Sequence, residues 1–425
     1  MTTQMSIFSL TDPQVLADPY PFYDQLRSQE PVLWDDFFKG WICGTYTEVA
    51  AALHDSRLGA QRVTSNQELE ELGLAELAPL YFPLTNQLLF IDPPKHSRLR
   101  GLIAKVFTSR RVDLMQAYLQ KIVDQMISEA VEQGTMDVIR DIAYPLPVTV
   151  IAELLGVPAT DRAQLKKWSD DYASMLGSFQ YIPDNPEETL HSLNDMNNYF
   201  LAIIREYRQH PQDNLLSDLI LAQEQGKHLD DDELIANCIL LLAAGHETTT
   251  NLIGNAILTL LKHPDQLMLL RQRPELITSA IEEVLRFESP AQYTVRKARA
   301  DLELGGQTIK KDQAIILLMG AANRDHRRFV HPDRFDIQRT NNKHFAFGHA
   351  SHFCIGAPLA RQEGKIAVMT MIERLPNLRL ENNQVNWREN KNLRGLASLP
   401  VTFDRPAIER EASARRSATP FIHKE

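Results

Sequence analysis

Phe347-Gly348-His349-Ala350-Ser351-His352-Phe353-Cys354-Ile355-Gly356 is the stretch on which the reading of this chain turns. It holds a single cysteine, Cys354, between two glycines. Directly downstream, Ala357, Leu359, Ala360, Ile366, Ala367, Met369, Met371 and Ile372 form a helical pattern. Pro358 falls in its first turn, where a missing N–H costs little. The spacing therefore places Cys354 just ahead of a helix N-terminus. There the dipole and the free backbone N–H groups favour a thiolate over a thiol. Gly348 and Gly356 let backbone approach a large flat group that a Cβ would hinder. A lone cysteine is most often a small buried hydrophobe. The glycines, the pair His349 and His352, and the position before a helix argue instead for one sulfur anion presented to one metal.

Outward from this loop, composition sets the bounds. The chain has 425 residues, 44% hydrophobic and 24% charged, which is ordinary for a globular protein with a sizeable core. A formal net charge of -10 argues against binding nucleic acid through the whole surface. Cys43, Cys238 and Cys354 lie far apart and form no paired framework, which fits a reducing cytoplasm. Met1–Pro19 has no signal-peptide pattern, and no run of 18 apolar residues occurs, so neither a leader nor a membrane anchor is expected.

Two further segments carry chemistry. Asp230 with Glu233 three residues on is a capping-box start, and apolar periodicity then runs from Leu234 to Leu261 before His263-Pro264. This predicts a helix of about 30 residues and roughly 45 Å. Its middle, Ile239 to Ala244, is apolar all round and hence buried. Then come His246, Glu247, Thr248, Thr249, Thr250 and Asn251, which must be hydrogen-bonded or line a wet site. The Thr248 hydroxyl can bond back to the Ala244 carbonyl and loosen the helix. His246 reads equally as support for the site or as a satisfied buried histidine. The second segment, Asp92-Pro93-Pro94, starts a helix that puts His96 and Arg100 on one face, a donor pair suited to an anion or to solvent. Arg98, Lys105, Arg110 and Arg111 lie close by in sequence and suggest a basic patch.

The Cys354 loop resembles the cysteine-ligand loop of cytochrome P450, the haem-thiolate monooxygenases. Phe347, Cys354 and Gly356 match that pattern, whereas Ala350 stands where the family has Gly. Ala tolerates positive φ poorly, so a slightly adjusted bulge is expected. Ala244-Gly245-His246-Glu247-Thr248 resembles the family's acid–alcohol motif. Glu283-Val284-Leu285-Arg286 resembles its Glu-x-x-Arg element, with Arg334 of His331-Pro332-Asp333-Arg334-Phe335 as third partner in a structural network. The resemblance covers nearly the whole chain.

It implies a mainly α cytochrome P450 fold, with a large helical region and small β-rich parts near residues 31–46, 300–320 and 378–404. Residues 1–405 are expected to form one domain and 406–425 a loosely ordered tail. It implies haem b between the Thr248 and Cys354 helices, with Cys354 as metal ligand. Phe347 and Gly356 would support the cofactor, and His96, Arg100, Arg296 and His352 would hold its propionates. Glu247 and Thr248 would deliver protons. Leu88, Ala243, Ala244, Ala291, Gln292, Thr294 and Leu396 would line the substrate cavity. The segment from Gln61 to Phe90 reads as a binding loop or a surface excursion, and the turn-rich Gly177 to Glu187 as part of a lid or an ordinary connection.

The implied reaction uses O2 and two electrons to hydroxylate or epoxidise a hydrophobic small molecule, by analogy a polyketide or macrolide. No C-x-x-C cluster spacing and no glycine-rich nucleotide loop is present, so the electrons would come from a separate ferredoxin and ferredoxin reductase. Two rivals are a haem-thiolate ligand-binding or sensor protein without turnover and a peroxide-driven enzyme. The Glu247–Thr248 pair counts against both: a sensor needs no proton relay, and the resemblance implies that peroxide-driven members tend to replace this pair.

Overall fold

The computed structural model describes residues 5–61, 70, 75–81, 83–177, 185–224 and 230–405. Residues 62–69, 71–74 and 82 of the irregular stretch after Gln61, most of the turn-rich piece after Gly177 and all of 406–425 lie outside these residues.

The longer helices, in chain order, are α1 (Tyr20–Gln29), α2 (Tyr46–His54), α3 (Lys95–Val106), α4 (Gln116–Val131), α5 (Pro145–Leu155) and α6 (Arg162–Gly177). Then follow α7 (Pro186–Gln209), α8 (Leu215–Glu224), α9 (Asp231–Lys262), α10 (Pro264–Gln272), α11 (Ile277–Phe287) and α12 (Ala357–Arg374). The capping box expected at Asp230 and Glu233 is formed, and it starts the 32-residue α9. Asp230 accepts from the Glu233 N–H at 2.7 Å, so one of the orphan donors of the first turn is satisfied. α9 is buried along most of its length, with α5, α6, α7, α11 and α12 packed around it. At about 48 Å it is the rod on which the main core is assembled.

The strands make a small side region. β1 (Val32–Asp35), β2 (Gly40–Cys43), β3 (Leu58–Gly59), β5 (Thr294–Ala298) and β8 (Ala314–Leu317) form one sheet in the order β1-β2-β8-β5-β3. β1 and β2 form an antiparallel hairpin within the β-rich part expected near residues 31–46, with Trp34 opposite Trp41. β6 (Leu302–Leu304) pairs with β7 (Gln307–Ile309). β4 (Thr135–Asp137), β12 (Pro400–Thr402) and β9 (Arg379–Leu380) form a three-stranded sheet, and β10 (Asn386–Trp387) pairs with β11 (Leu396–Ser398).

β4 lies outside the β-rich parts expected near residues 31–46, 300–320 and 378–404. A short apolar run does not reveal its period, and pairing of Met136 with Val401, 265 positions later, decides it. Among the described residues, no helix is long and apolar enough to cross a membrane.

Candidate active site

The Cys354 loop is built by three backbone bonds. The Gly348 N–H donates to Phe345 O at 2.8 Å, the Cys354 N–H to Phe347 O at 2.9 Å and the Phe353 N–H to Ala350 O at 3.1 Å. Gly348 has φ +67° and Ala350 φ +54°. The turn is thus kept at Ala350, and the residue bears a left-handed conformation that costs roughly 1–2 kcal/mol. Pro358 sits in the first turn of α12 as the sequence predicts.

Around the Cys354 sulfur stand the N–H groups of Gly356 and Ala357 and the charges of Arg100 and Arg361. The side chain is open to the cradle, yet the protein packed around the sulfur still outweighs all four and pushes the thiol up, contrary to the expectation from the helix N-terminus alone. A metal ion held there would supply the further positive charge that ionises the sulfur.

Beside this loop the four residues proposed for an anion do converge. Arg100 donates to Phe353 O at 2.6 Å. The rings of His96 and His352 lie 4.1 Å apart. Burial, with Arg100 and Arg296 against Asp92, holds His96 below its ordinary pKa. Arg296 is buried and donates to Thr294 Oγ1 at 2.8 Å. His96 Nε2 is buried without a hydrogen-bond partner. An orphaned donor among guanidiniums is the chemistry that carboxylates of a haem require, so the residues fit the group.

On α9, Thr248 Oγ1 donates to Ala244 O at 2.9 Å, the back-bond expected from sequence. Ala244 is exposed and Gly245 and Thr248 partly so, whereas Ala243, His246 and Glu247 are buried. The long helix therefore opens one narrow face at its polar stretch. One turn further, Leu252 packs against Gly364 of α12, so this face and the Cys354 loop belong to adjoining elements. Glu247 is turned inward, where its Oε1 accepts from Arg388 Nη1 at 2.5 Å. Arg388 lies 141 positions away beside a two-residue strand, and no sequence signal ties it to Glu247.

The network on α11 forms with one change of partner. Glu283 and Arg286, both fully buried, share two bonds of 2.8 Å. The second guanidinium on Glu283 is that of Arg339, at 3.1 Å from both oxygens, and not Arg334. Arg334 points to solvent and contributes its carbonyl, which accepts from Arg286 and Arg339. Arg286 also holds Asn323 O, and Asn323 Oδ1 accepts from the Phe345 N–H at the start of the Cys354 loop. The network so reaches the loop through one asparagine.

The proposed cavity residues separate. Ala244, Ala291 and Thr294 are accessible to differing degrees. Leu88 and Ala243 are buried in the main core. Gln292 turns away from the site, accepting from Tyr23 Oη at 3.1 Å and donating to Ser289 O at 2.7 Å. Leu396 packs within the core beside Gly254. The last two are corrections: a strand-like pattern does not tell which face of a short segment looks inward. The basic patch is also thinner than the sequence suggests. Arg98 is tied to Glu233 at 3.0 Å and Arg111 to Asp218 at 2.6 Å.

Comparison with known proteins places the chain in a family. The family model described as Cytochrome P450 matches residues 73–404. The biotin biosynthesis cytochrome P450 of Bacillus subtilis (strain 168) is 39% identical over 406 residues, covering 94% of this chain and all of that protein. Cytochrome P450 monooxygenase PikC of Streptomyces venezuelae is 39% identical over 408 residues, covering 94% of each. The crystal structure of P450BioI in complex with acyl carrier protein ligated to hexadec-9Z-enoic acid superposes with a TM-score of 0.85 at 38% identity, over 92% of this chain and 99% of that one. This chain belongs to the cytochrome P450 family of haem-binding monooxygenases, which take O2 and draw electrons from redox partners.

Proposed function

We propose that this protein is a haem-thiolate monooxygenase that hydroxylates or epoxidises a hydrophobic polyketide-type molecule, with electrons from a ferredoxin and its reductase. What carries the reading is the convergence of Cys354, Arg100, Arg296, His352 and the orphaned His96 Nε2 in one cradle. Cys354 would hold the iron of haem b, and the four basic side chains its propionates. When bound, haem supplies the oxidising chemistry.

The chain's own residues then do four things. The Phe347 and Gly348 carbonyl–amide turns fix the height of the sulfur. Arg361, over the Phe347 ring at 4.5 Å, shares that side with Arg100 and adds positive charge near it. Ala244 and Thr248 present a small, accessible helix face toward the reacting centre. Glu247, pinned by Arg388, supplies protons to the Thr248 hydroxyl, which orients the last donor. The polyketide assignment is supported by the likeness to PikC, and the likeness to P450BioI makes a carrier-bound acyl chain the competing substrate.

The decisive experiment is the absorption spectrum of the reduced protein under carbon monoxide, followed by substrate screening by spin-state shift. A strongly red-shifted Soret band is expected, with Cys354→Ala losing it. A band typical of histidine-ligated haem would overturn the assignment. Shifts with acyl chains but none with macrolactones would replace the substrate class, and product formed with peroxide but not with electron partners would replace the electron source.

A further inference from the structure

Behind the acid–alcohol pair lies a polar cluster of Asp170, His246 and Glu247. His246 is fully buried, and its Nε2 has no hydrogen-bond partner. That nitrogen lies 3.7 Å from Asp170 Oδ1 and 4.0 Å from a Glu247 oxygen, Oε2. The three ligand-type atoms lie within 4.8 Å of one another. Each gap is too long for a hydrogen bond and the right length for a bridge through one atom.

The neighbouring groups say what the bridge is. Ser169 Oγ lies 3.1 Å from His246 Nδ1, and the Tyr144 ring packs edge-on at 4.6 Å. Two carboxylates beside Nε2 favour the tautomer with the proton on Nε2, so that Ser169 donates to Nδ1. A cation has no place against an N–H. Asp170 is moreover neutralised by Lys166 at 3.6 Å and Glu247 by Arg388 at 2.5 Å, so a divalent metal would meet no net negative charge. A water molecule fits: it accepts from Nε2–H and donates one proton to each carboxylate, within about 2.8 Å of all three.

We propose that Asp170 is the proton port of this enzyme, joined to Glu247 through a water anchored by His246. The proposal rests on the monooxygenase reading above. Asp170 suits the role because its side chain is 39% exposed while His246 and Glu247 are buried. Its second contact, Tyr144 Oη donating at 2.8 Å, fixes the carboxylate in place. Burial also raises the pKa of Asp170, against Tyr144, Lys166 and Arg388, which brings its protonated form closer to working pH. His246 is pushed down to about 3 by burial, with Arg388 and Lys166 adding to it, so it stays neutral and anchors the water without carrying charge.

Each transfer conserves bonds. A solvent proton forms an O–H bond on Asp170. That proton passes to the water as the water gives one of its own to Glu247, and Glu247 passes its proton on toward Thr248. No electrons move. The line crosses from α6 to α9, so it is complete only while α6 sits on α9.

The test compares wild type with Asp170→Asn, Asp170→Glu and His246→Phe, all as holoproteins. The carbon-monoxide spectrum and substrate-induced spin shift should be unchanged in every variant. Asp170→Asn should lower turnover by roughly tenfold or more and raise the solvent deuterium isotope effect on turnover, with Asp170→Glu restoring much of both. A high-resolution crystal structure of the wild-type holoprotein should show water within hydrogen-bond distance of all three side chains, lost in His246→Phe. An unchanged isotope effect in Asp170→Asn, or no water at this point, would overturn the port. So would anomalous scattering from a metal at the same place after a zinc soak. A wild type without the thiolate spectrum would instead sink the monooxygenase reading.

Discussion

At Ala350 a methyl group sits on backbone at φ +54°, one residue of strain in the loop that carries Cys354. Glycine there removes a cost of roughly 1–2 kcal/mol and gives back about half of it through the freer unfolded chain. Ala350→Gly should therefore stabilise the holoprotein by about 0.5–1 kcal/mol, read from the urea midpoint, with the reduced carbon-monoxide spectrum unaltered. A midpoint that fell would mean that the loop is rigid enough to hold Ala without strain. Thr248 is the other single residue on which much hangs, because its hydroxyl is already committed to the Ala244 carbonyl. Thr248→Ala should leave folding and the spectrum intact while product per NAD(P)H falls several-fold and hydrogen peroxide is released. Equal coupling in mutant and wild type would place proton delivery elsewhere.

Among the elements, α12 hides an acid that the site does not use. Glu363 is buried, its Oε2 has no partner, and burial raises its pKa well above the ordinary 4.5. The fold keeps the proton that the unfolded chain releases near pH 4.5, so stability falls as pH rises beyond that value, by up to about 1.4 kcal/mol per unit. Glu363→Gln should remove this slope. Its advantage in urea midpoint over wild type should be near zero at pH 4 and grow toward neutrality; parallel pH profiles would show that Glu363 finds a partner in solution. The elements themselves were legible where a local rule fixed them. α9 announces itself by its capping box, apolar run and closing His-Pro, and α12 by Pro358 and its period. The Cys354 loop could be read because glycine and turn chemistry are local. Arg339, Arg388 and β4 were not legible: each is chosen by a partner 56 to 265 positions away, and spacing carries no trace of that. Gln292 failed for a related reason, since its face is set by Tyr23 on a distant helix.

Across the whole molecule, Arg394 fastens parts that are otherwise far apart. Its guanidinium bonds the buried Glu288 just past α11, Leu16 O at 2.7 Å and Ala17 O at 2.9 Å, and it stacks on Trp387 at 3.6 Å. Removing it leaves Glu288 without its cation and two carbonyls without donors. Arg394→Ala should cost about 3 kcal/mol or more in stability to urea. Arg394→Lys should recover only part, because a single ammonium cannot replace a fork that reaches three acceptors. If the two variants matched wild type, the early segment around Leu16 would be held by its apolar contacts alone.

The same fastening orders events on the ribosome. The side sheet and the strand pair β4–β12 join residues made early to residues made more than 250 positions later. A nascent chain can wind α9 and gather helices around it as they emerge, but it cannot close the side region until residues 394–402 are released. Cys354 and α12 appear only shortly before that point. Loading of the cofactor would thus wait until Cys354 and α12 have emerged, after the helices around α9 have gathered, and a cell short of haem would accumulate chains that are already helical but whose cradle is unfilled.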